Sequence, residues 1–503
     1  MEILSADQIR AWDEYTIQHE PIASVDLMER AAKSCLTWLE KNGYVGRVFA
    51  IYCGKGNNGG DGLALARMLS ELDCAVSVHI LEFGVLGTED FQVNLARLHQ
   101  TPVEVRFIQG SESFHPISPG EVLVDALLGS GLNRKLEGIA AALVDHLNGS
   151  GNEIIAIDIP SGLFVSRSSR GNTVVRATHT LSFQCYKPAF LMPENAVQVG
   201  LVHILDIGLH AGYIPKVTGV AELLDPGIIR AIYKPRPPFA HKGNFGHALL
   251  VAGSFGKMGA AVLGSRACLR SGAGLLSSHV PGCGYGILQT AVPEAMAFVD
   301  VDERIPTALT GDPSVFSTVG MGPGIGTEGR TVELLRDLLR RCSKPMVLDA
   351  DALNILSSSE DLWKLVPANS VLTPHPKEFE RLFGPSADDY ARVEKAREQA
   401  KERQCIIVLK GHYSFVAMPG GKGYFNSTGN AGMAKGGSGD VLTGILTGLL
   451  SQGYSPGEAA LLGVYLHGLA GDLAAAQWSQ ESMLASDLVE HLGAAYEWLQ
   501  NGG

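Results

Sequence analysis

Apolar runs that alternate with helical patterns constrain the fold of this chain more than any other feature. Between residues 45 and 210, the runs that predict strands are Arg47–Cys53, Val76–Leu81, Val103–Ile108, Val122–Leu128, Glu153–Ile159 and Thr180–Phe183. Helical patterns such as Leu63–Glu71 and Asp90–His99 separate several of these strands. Strands that alternate with helices indicate a parallel sheet with helices on both faces, and continuous apolar strands fit that arrangement. This part of the chain therefore predicts a doubly wound α/β domain.

A second series of strands and helices follows a proline-rich connector at 225–240. The segments that predict strands here are His247–Gly253, Leu275–Val280, Met346–Asp349, Ser370–Thr373 and Ile406–Lys410. The segments that predict helices are Gly259–Ser271, the charged stretch Ala387–Gln404, and two or three helices within 456–499. At roughly 150 residues per domain, a chain of 503 residues has room for two to four domains. We predict two α/β domains, at 1–215 and 225–503.

Charge and cysteine content restrict the partners and the compartment. The 40 basic and 52 acidic residues give a net charge of −12, which disfavours nucleic acid because binding to phosphate backbones needs a basic face. The 8 cysteines are scattered, without a C-x-x-C pair, as expected of buried thiols in a reducing compartment. The first ten residues lack the pattern of a signal peptide, and no apolar run reaches the ~18 residues of a membrane span. We expect a cytoplasmic protein that contacts no membrane.

The glycine-rich run from Thr428 to Asp440 is the strongest single indication of function. Glycines 436, 437 and 439 precede the apolar stretch Val441–Leu450, so the run predicts backbone amides exposed at a helix N-terminus, which favours anion binding. Asp440 lies where those amides converge and is a candidate base for a hydroxyl while the amides hold a phosphate. The alternative is a glycine-rich loop that only starts a helix.

Polar residues follow three of the strands in the first half. The run Gly54–Gly62 has glycines at 54, 56 and 59, as in a dinucleotide fingerprint, which alone is a weak indication. Asp125 and Asp158 interrupt apolar strands, and Ser161 follows the second of them. Carboxylates seldom lie in buried strands without a partner, although each could be structural. Because parallel strands present their carboxyl ends at one edge, these groups are expected to line one ligand crevice.

The motifs Asn57–Asp61, Asp158–Gly162 and Thr180–Phe183 with Lys187-Pro188 resemble the Rossmann-like epimerase domain that acts on hydrated NADH and NADPH. The resemblance covers roughly residues 1–215, and Ser166–Gly171 departs from the family's usual turn. It implies that Asp158 contacts the hydrated nicotinamide ring and that K⁺ is bound by Asn58, Asp125 and Ser161. Our hypothesis is that Asp158 is the catalytic acid–base group of epimerisation. The contacts with the hydrated dinucleotide that the resemblance implies are Asn57, Asn58, Gly59, Gly60, Asp61, Gly129, Ser130, Gly131, Leu132, Asn133, Arg134, Lys135 and Asp158.

Motifs in the second half resemble the ADP/ATP-dependent NAD(P)H-hydrate dehydratases of the ribokinase-like superfamily. They are His241–Gly246, Gly253–Gly259, Gly320–Gly326, Leu348–Asn354, Leu372–Glu378, Leu409–His412 and the loop that ends at Asp440. Lys435 and Ser438 depart from the family's usual residues. Together the two halves resemble the family of bifunctional NAD(P)H-hydrate repair enzymes.

For the dehydratase, the resemblance implies Mg²⁺ with ADP or ATP and the catalytic base Asp440. The hydrated dinucleotide would contact Ala260, Gly324, His375 and Asp440, and the nucleotide would contact Lys410, Gly411, His412, Tyr413, Ser414 and Gly439. Amides of Gly437, Ser438 and Gly439 would stabilise the transferred phosphoryl group. Asp349 and Asp351 contact either metal-bound water or only protein groups. His375 is either a ligand contact or a packed loop residue.

A fusion of these activities has a chemical reason. Hydration of the cofactor gives two epimers at C6, and a chiral dehydratase consumes one of them, the S form in this family, so an epimerase restores the other. The rival hypotheses are a ribokinase-like kinase of a sugar or vitamin alcohol with a regulatory first half, and a first half that only binds ligands. The resemblance also leads us to expect a homo-oligomer.

Overall fold

The computed structural model describes residues 1–82 and 84–502 and divides the chain into two compact units. The first unit contains Met1–Ala221 together with Asp388–Tyr390, and the second contains the other described residues from Glu222 onward. The change of unit at 221/222 falls between the two predicted domain ranges. The α/β fold class predicted for both halves is confirmed.

The first unit contains eight strands and six α-helices among its described residues. Its strands are β1 (Glu2–Ile3), β2 (Val48–Cys53), β3 (Ala75–Leu81), β4 (Glu104–Ile108), β5 (Val122–Ala126), β6 (Ile154–Ile157), β7 (His179–Phe183) and β8 (Leu201–Leu205). Its helices are α1 (Ala6–His19), α2 (Ser24–Lys41), α3 (Asn57–Glu71), α4 (Glu89–Leu98), α5 (Gly138–Gly149) and α6 (Ala196–Val199).

The sheet of this unit is parallel and has the order β4-β3-β2-β5-β6-β7-β8. The order reverses between β2 and β5, where the chain passes from one half of the sheet to the other. Such a switch point opens a crevice at the carboxyl ends of the strands, and ligands of doubly wound sheets bind there. The polar motifs after β2, β5 and β6 all reach this edge.

The second unit is built from β9–β18 and α7–α17, apart from the first residue of β9 and the first two residues of α14, which are counted with the first unit. Its strands are β9 (Ala221–Leu223), β10 (His247–Val251), β11 (Leu275–Val280), β12 (Met296–Val299), β13 (Thr318–Met321), β14 (Met346–Leu348), β15 (Val371–Leu372), β16 (Ile406–Leu409), β17 (Phe415–Ala417) and β18 (Gly423–Phe425). Its helices are α7 (Pro226–Ile232), α8 (Met258–Arg270), α9 (Tyr285–Ala291), α10 (Gly329–Arg341), α11 (Ala350–Ser357), α12 (Glu360–Trp363), α13 (Pro376–Phe383), α14 (Asp389–Glu402), α15 (Ser438–Ser451), α16 (Pro456–Trp478) and α17 (Ala485–Asn501).

The strands of the second unit run β9-β18-β17-β16-β15-β14-β13-β10-β11-β12. The block from β16 to β12 is parallel, and β17 pairs antiparallel with both β16 and β18. Helix α15 is buried along most of its length, and it packs with α16 and α17 in one apolar core. This core fixes the start of α15, where the glycine-rich run ends.

Helix α16 corrects one expectation from the sequence. An 18-residue window within Pro456–Trp478 has a mean hydropathy of 1.4, so this helix is long and apolar enough to cross a membrane. In the structure 72% of that window is buried, and its buried residues belong to the core around α15. The composition of α16 is therefore that of a core helix.

Candidate active sites

The run Gly54–Gly62 forms a turn and the first turns of a helix. Helix α3 begins at Asn57, so Asn58 and Asp61 lie in its first turns, and both are largely buried. The turn passes close to this helix: a Cβ atom added at Gly59 would lie 1.8 Å from the carbonyl oxygen of Gly54. Glycine at position 59 thus lets the start of α3 pack closely against the turn that follows β2.

Replacing Gly59 with alanine is expected to destabilise the first unit by about 3 kcal/mol, because the new methyl group meets backbone that cannot move aside. Gly56→Ala is the matched control in the same motif, since a Cβ there has no neighbour within 4 Å, and it should change stability by less than about 1 kcal/mol. Hydrogen exchange of peptides covering β2 and α3, across a urea series, measures both variants. Equal protection in the two variants would contradict the prediction.

Asp125 and Ser161 form a buried network at the ends of β5 and β6. The Ser161 hydroxyl donates to Asp125 Oδ1 at 2.6 Å, and its amide donates to Oδ2 at 2.7 Å. The Leu127 amide also donates to Oδ1, at 3.2 Å. Burial raises the pKa of Asp125 to about 6, although these hydrogen bonds oppose the rise. The network therefore joins the ends of β5 and β6, where two of the predicted cation ligands, Asp125 and Ser161, lie.

Asn58 carries polar groups that have no protein partner. The residue is 8% exposed, and neither the nitrogen nor the oxygen of its side-chain amide has a hydrogen-bond partner among the described residues. A Cβ added at Gly129 would lie 3.2 Å from the Asn58 Cβ and 3.4 Å from Asp158 Oδ2. Asn58, the Gly129 loop and Asp158 are therefore close together, as predicted. No cluster of three or more His, Cys, Asp and Glu residues suited to a metal occurs in 1–82 or 84–502.

Asp158 is paired with a lysine to which the sequence assigned no role. Lys187 is fully buried, and its ammonium group donates to Asp158 Oδ1 at 2.8 Å and to the Ser182 hydroxyl at 2.6 Å. The Ser130 amide donates to Asp158 Oδ2 at 3.2 Å. Asp158 has a φ of 66°, which is uncommon for a residue other than glycine. Such backbone strain occurs frequently at functional sites.

A cavity of about 490 Å³ opens at this edge of the sheet. The predicted substrate contacts that line it are Asn57, Asn58, Asp61, Gly129, Ser130, Gly131, Leu132, Asn133, Arg134 and Asp158. Gly59, Gly60 and Lys135 are not among the lining residues, and the two glycines lie in the first turn of α3. Arg10 and Asp13 of α1 also line the cavity, and sequence reasoning missed both. The capping box of Ser5 and Gln8 begins α1 and could have revealed this helix.

The departure at Ser166–Gly171 is accommodated by local hydrogen bonds. The Ser169 hydroxyl accepts from the Phe164 amide at 2.8 Å, and the Ser168 hydroxyl donates to Glu194 at 2.5 Å. The segment is thus held in place after Ser161 and Gly162 without the family's usual turn.

In the second unit the glycine-rich run ends at a helix N-terminus, as predicted. Gly437 has a φ of 98° and precedes Ser438, the first residue of α15. Asp472 accepts from the Gly429 amide and the Asn430 side chain, both at 2.9 Å. The ammonium group of Lys435 donates to the carbonyls of Glu481 and Met483, each at 2.6 Å. Lys435 therefore anchors the loop.

His467 supports the same turn from α16. Burial lowers the pKa of His467 to about 4, so its ring is neutral at pH 7. Its Nε2 lies 2.9 Å from the Ser438 carbonyl, which requires a proton on that nitrogen. The Ser438 hydroxyl is buried and has no partner among the described residues.

Asp440 lies in the first turn of α15 beside a lysine and a second aspartate. Burial, followed by the charge of Asp349, raises the pKa of Asp440 to about 6, and Lys410 opposes this rise. Lys410 donates to Asp349 Oδ1 at 2.8 Å, and the Thr443 hydroxyl donates to Oδ2 at 2.8 Å. Asp349 thus has two protein partners, and these contacts favour its structural role. Asp351 accepts from the Gly326 amide at 2.8 Å.

The other predicted contacts of the second unit follow neighbouring strands. Gly324 has a φ of 67°, and a Cβ there would lie 3.2 Å from the Ala260 Cβ, so these two positions are adjacent. His375 caps α13, with Nδ1 accepting from the amides of Lys377 and Glu378, and 44% of its side chain is exposed. Gly411, His412, Tyr413 and Ser414 form the turn between β16 and β17.

Comparisons with known proteins agree with this architecture. A family profile described as NAD(P)H-hydrate dehydratase matches residues 248–493, and one described as YjeF-related protein N-terminus matches 24–189. A bifunctional NAD(P)H-hydrate repair enzyme of Moorella thermoacetica is 35% identical over 510 residues, covering 98% of this chain and 96% of the relative. The enzyme of that name from Escherichia coli is 33% identical over 490 residues, covering 97% and 92%.

Among solved structures, an ADP/ATP-dependent NAD(P)H-hydrate dehydratase from Bacillus subtilis, co-crystallised with ATP and Mg²⁺, is 31% identical. It aligns with a TM-score of 0.49 and covers 56% of this chain and 99% of its own. The full-length identities and the two matching profiles show the family. This chain belongs to the bifunctional NAD(P)H-hydrate repair enzymes, with an epimerase domain followed by a dehydratase domain.

Proposed function

We propose that the first unit interconverts the R and S epimers of hydrated NADH and NADPH at the cavity around Asp158. The second unit dehydrates the S epimer around Asp440, with ADP or ATP as phosphoryl donor, and releases AMP or ADP and phosphate. The observation that carries the second assignment is the carboxylate of Asp440 at the N-terminus of α15, beside Lys410. The carboxylate that would act as the base therefore lies next to the helix N-terminus that would bind the phosphate.

The chemistry of the second unit follows from this arrangement. Hydroxide is a poor leaving group at neutral pH, so the C6 hydroxyl must first be activated. Asp440 removes the hydroxyl proton as the oxygen attacks the terminal phosphoryl group of the nucleotide. The amides of Gly437, Ser438 and Gly439 stabilise the charge on the transferred group. Phosphate then leaves from C6, and the dihydronicotinamide ring regains its conjugation.

In this proposal the nucleotide binds at the turn after β16. Gly411, His412, Tyr413 and Ser414 contact the nucleotide, and Lys410 provides a positive charge beside its phosphates. A Cβ added at Gly439 would lie 3.5 Å from Lys410 Nζ, so the turn and the glycine-rich loop face one small volume. A Mg²⁺ ion bound with the nucleotide would neutralise the remaining phosphate charge. Ala260, Gly324 and His375 contact the hydrated dinucleotide.

In the first unit, Asn58, Asp125 and Ser161 fit a K⁺ ion. The carbonyl oxygen of Asn58 is buried without a protein partner, and oxygen donors are the ligands that hard cations prefer. When bound, the ion supplies a fixed positive charge near the anionic substrate. The chain's own residues hold the substrate: the Gly129–Lys135 loop contacts the dinucleotide, and Asp158 contacts the hydrated ring.

The recovery of reduced-nicotinamide absorbance tests both activities. Purified protein and Mg-ADP are added to mixed R and S NADPH-hydrate, in KCl or in an equal concentration of LiCl. Recovery of the whole pool in KCl, faster than spontaneous epimerisation, is expected, and LiCl should slow only the R fraction. Recovery of the S fraction alone would contradict the epimerase assignment. A stable phosphorylated product without phosphate release would identify a kinase.

A further inference from the structure

Two carboxyl groups besides Asp158 line the cavity of the first unit without a protein partner, whereas a third, Asp90, accepts a hydrogen bond from the Ser24 hydroxyl at 2.6 Å. Asp13 comes from α1 and Asp61 from the start of α3, and both line the cavity. Neither has a hydrogen bond or ion pair to any other described residue. Asp61 is 9% exposed, whereas Asp13 is half-buried and more accessible from the cavity. A carboxyl group without a partner in such a place points to a role toward a ligand.

Asp13 and Asp158 differ in their charged neighbours. The ammonium group of Lys187 lies 2.8 Å from Asp158 Oδ1 and donates a hydrogen bond to it, whereas Asp13 has no such cationic partner. Burial, followed by the charge of Asp158, raises the pKa of Asp13 to about 7. Lys187 opposes that rise, and Glu14 on the same helix adds to it. The other charged groups lining the cavity are Arg10, Asp61, Asp90 and Arg134.

Epimerisation at C6 needs one proton acceptor and one proton donor at the same centre. A base takes the proton of the C6 hydroxyl, the C6–N1 bond breaks, and the oxygen forms an aldehyde. N1 keeps the bonding electron pair and must receive a proton from an acid. Rotation about C5–C6 then presents the other face of the aldehyde, and ring closure returns both protons to their donors. The sequence balances without an oxidant, a reductant or a second substrate.

We propose that Asp158 takes the hydroxyl proton and Asp13 donates a proton to N1, so that the two carboxyl groups form the acid–base pair of the epimerase. This assignment rests on the proposed epimerase function of the cavity. Two carboxyl groups that line one cavity in different surroundings, one paired with a lysine and one without a partner, commonly divide the acid and base roles of a reaction between them. Asp13 rather than Asp61 is assigned as the proton donor because it is the more exposed of the two carboxyl groups that line the cavity.

The test is Asp13→Asn in the full-length protein, with Asp7→Asn as control because Asp7 is an exposed carboxylate on the same helix. Repair of R-hydrate in the presence of Mg-ADP reports epimerisation once the S-hydrate is consumed. Asp13→Asn should slow this phase by about 10²- to 10⁴-fold and leave S-hydrate repair unchanged. Asp7→Asn should behave as wild type. If wild-type protein shows no R-hydrate repair, the proposed function fails; if Asp13→Asn keeps more than a tenth of the rate, this inference fails.

The pH profile separates proton donation from a structural role. The wild-type epimerisation rate should fall as pH rises through about 7, because Asp13 then loses the proton it must donate, while Asp13→Glu should retain this fall. Asp13→Asn should lack it, and hydrogen exchange of α1 peptides shows whether that variant is folded. If the fall of the epimerisation rate at high pH disappeared in Asp61→Asn but persisted in Asp13→Asn, the assignment of Asp13 as the proton donor would be overturned.

Discussion

Asp440→Asn is expected to slow ADP-dependent dehydration of S-hydrate by about 10²- to 10⁴-fold, the contribution of a positioned general base. Asparagine has nearly the same shape and keeps the first turn of α15, but it cannot accept the hydroxyl proton. The nucleotide site should remain, because Lys410 and its partner Asp349 are untouched. The loss should therefore fall on kcat, with little change in the KM for ADP.

The same full-length protein supplies the controls. Epimerisation by the Asp440→Asn variant, followed by NMR of the R and S forms, should equal that of wild type. Glu497→Gln removes an exposed carboxylate of α17 and should leave both activities unchanged. If Asp440→Asn dehydrated S-hydrate at more than a tenth of the wild-type rate, another group would be the base.

The pH profile should identify the base as well. Because burial raises the pKa of Asp440 to about 6, the ionised form that accepts a proton is lost as pH falls through that value. The wild-type dehydration rate should therefore decline below about pH 6. Asp440→Asn should lack this decline in its residual rate.

Much of the fold could be predicted because local pattern and tertiary structure agree. The apolar runs Arg47–Cys53 and Val122–Leu128 contain β2 and β5, and helix α15 begins at Ser438, next to the glycines that predicted its start. Continuous apolar strands and glycine-rich turns can be recognised in the sequence because a buried parallel sheet that binds a ligand at its edge requires both. The short hairpin of β17 and β18 was missed, since strands of three residues carry almost no periodicity.

The partners within the sites could not be predicted in the same way. Lys187 and Asp158 are 29 residues apart, and they meet because β6 and β7 are neighbours in register. Asp13 reaches the cavity only through the packing of α1, which no local pattern specifies. Sequence motifs predicted where the backbone turns of the two sites lie. Which charged side chains meet at those turns depends on the order of the strands and on helix packing.

Lys187→Met is expected to destabilise the first unit by about 3–5 kcal/mol, because it leaves the Asp158 carboxylate largely buried without its cation. Lys187 is fully buried, and methionine of similar length can fill its volume. Asp158→Asn, which keeps a residue tolerant of positive φ, should leave Lys187 as the unpaired charge. Both single variants should lose epimerisation, since the base is either absent or deprived of the lysine that positions it.

The double variant decides whether the pair acts as a unit. Lys187→Met with Asp158→Asn removes both charges, so it should be more stable than the sum of the two single effects predicts, and it should still lack epimerisation. Denaturant-dependent hydrogen exchange of peptides from β6 and β7 measures the first unit, with peptides from β13 and β14 as the internal reference. Lys33→Met, at an exposed position of α2, should leave exchange unchanged. If the changes in the free energy of unfolding of the two single variants were strictly additive in the double variant, Lys187 would stabilise the fold independently of Asp158. The buried ammonium group would then require another anionic partner, such as the substrate itself.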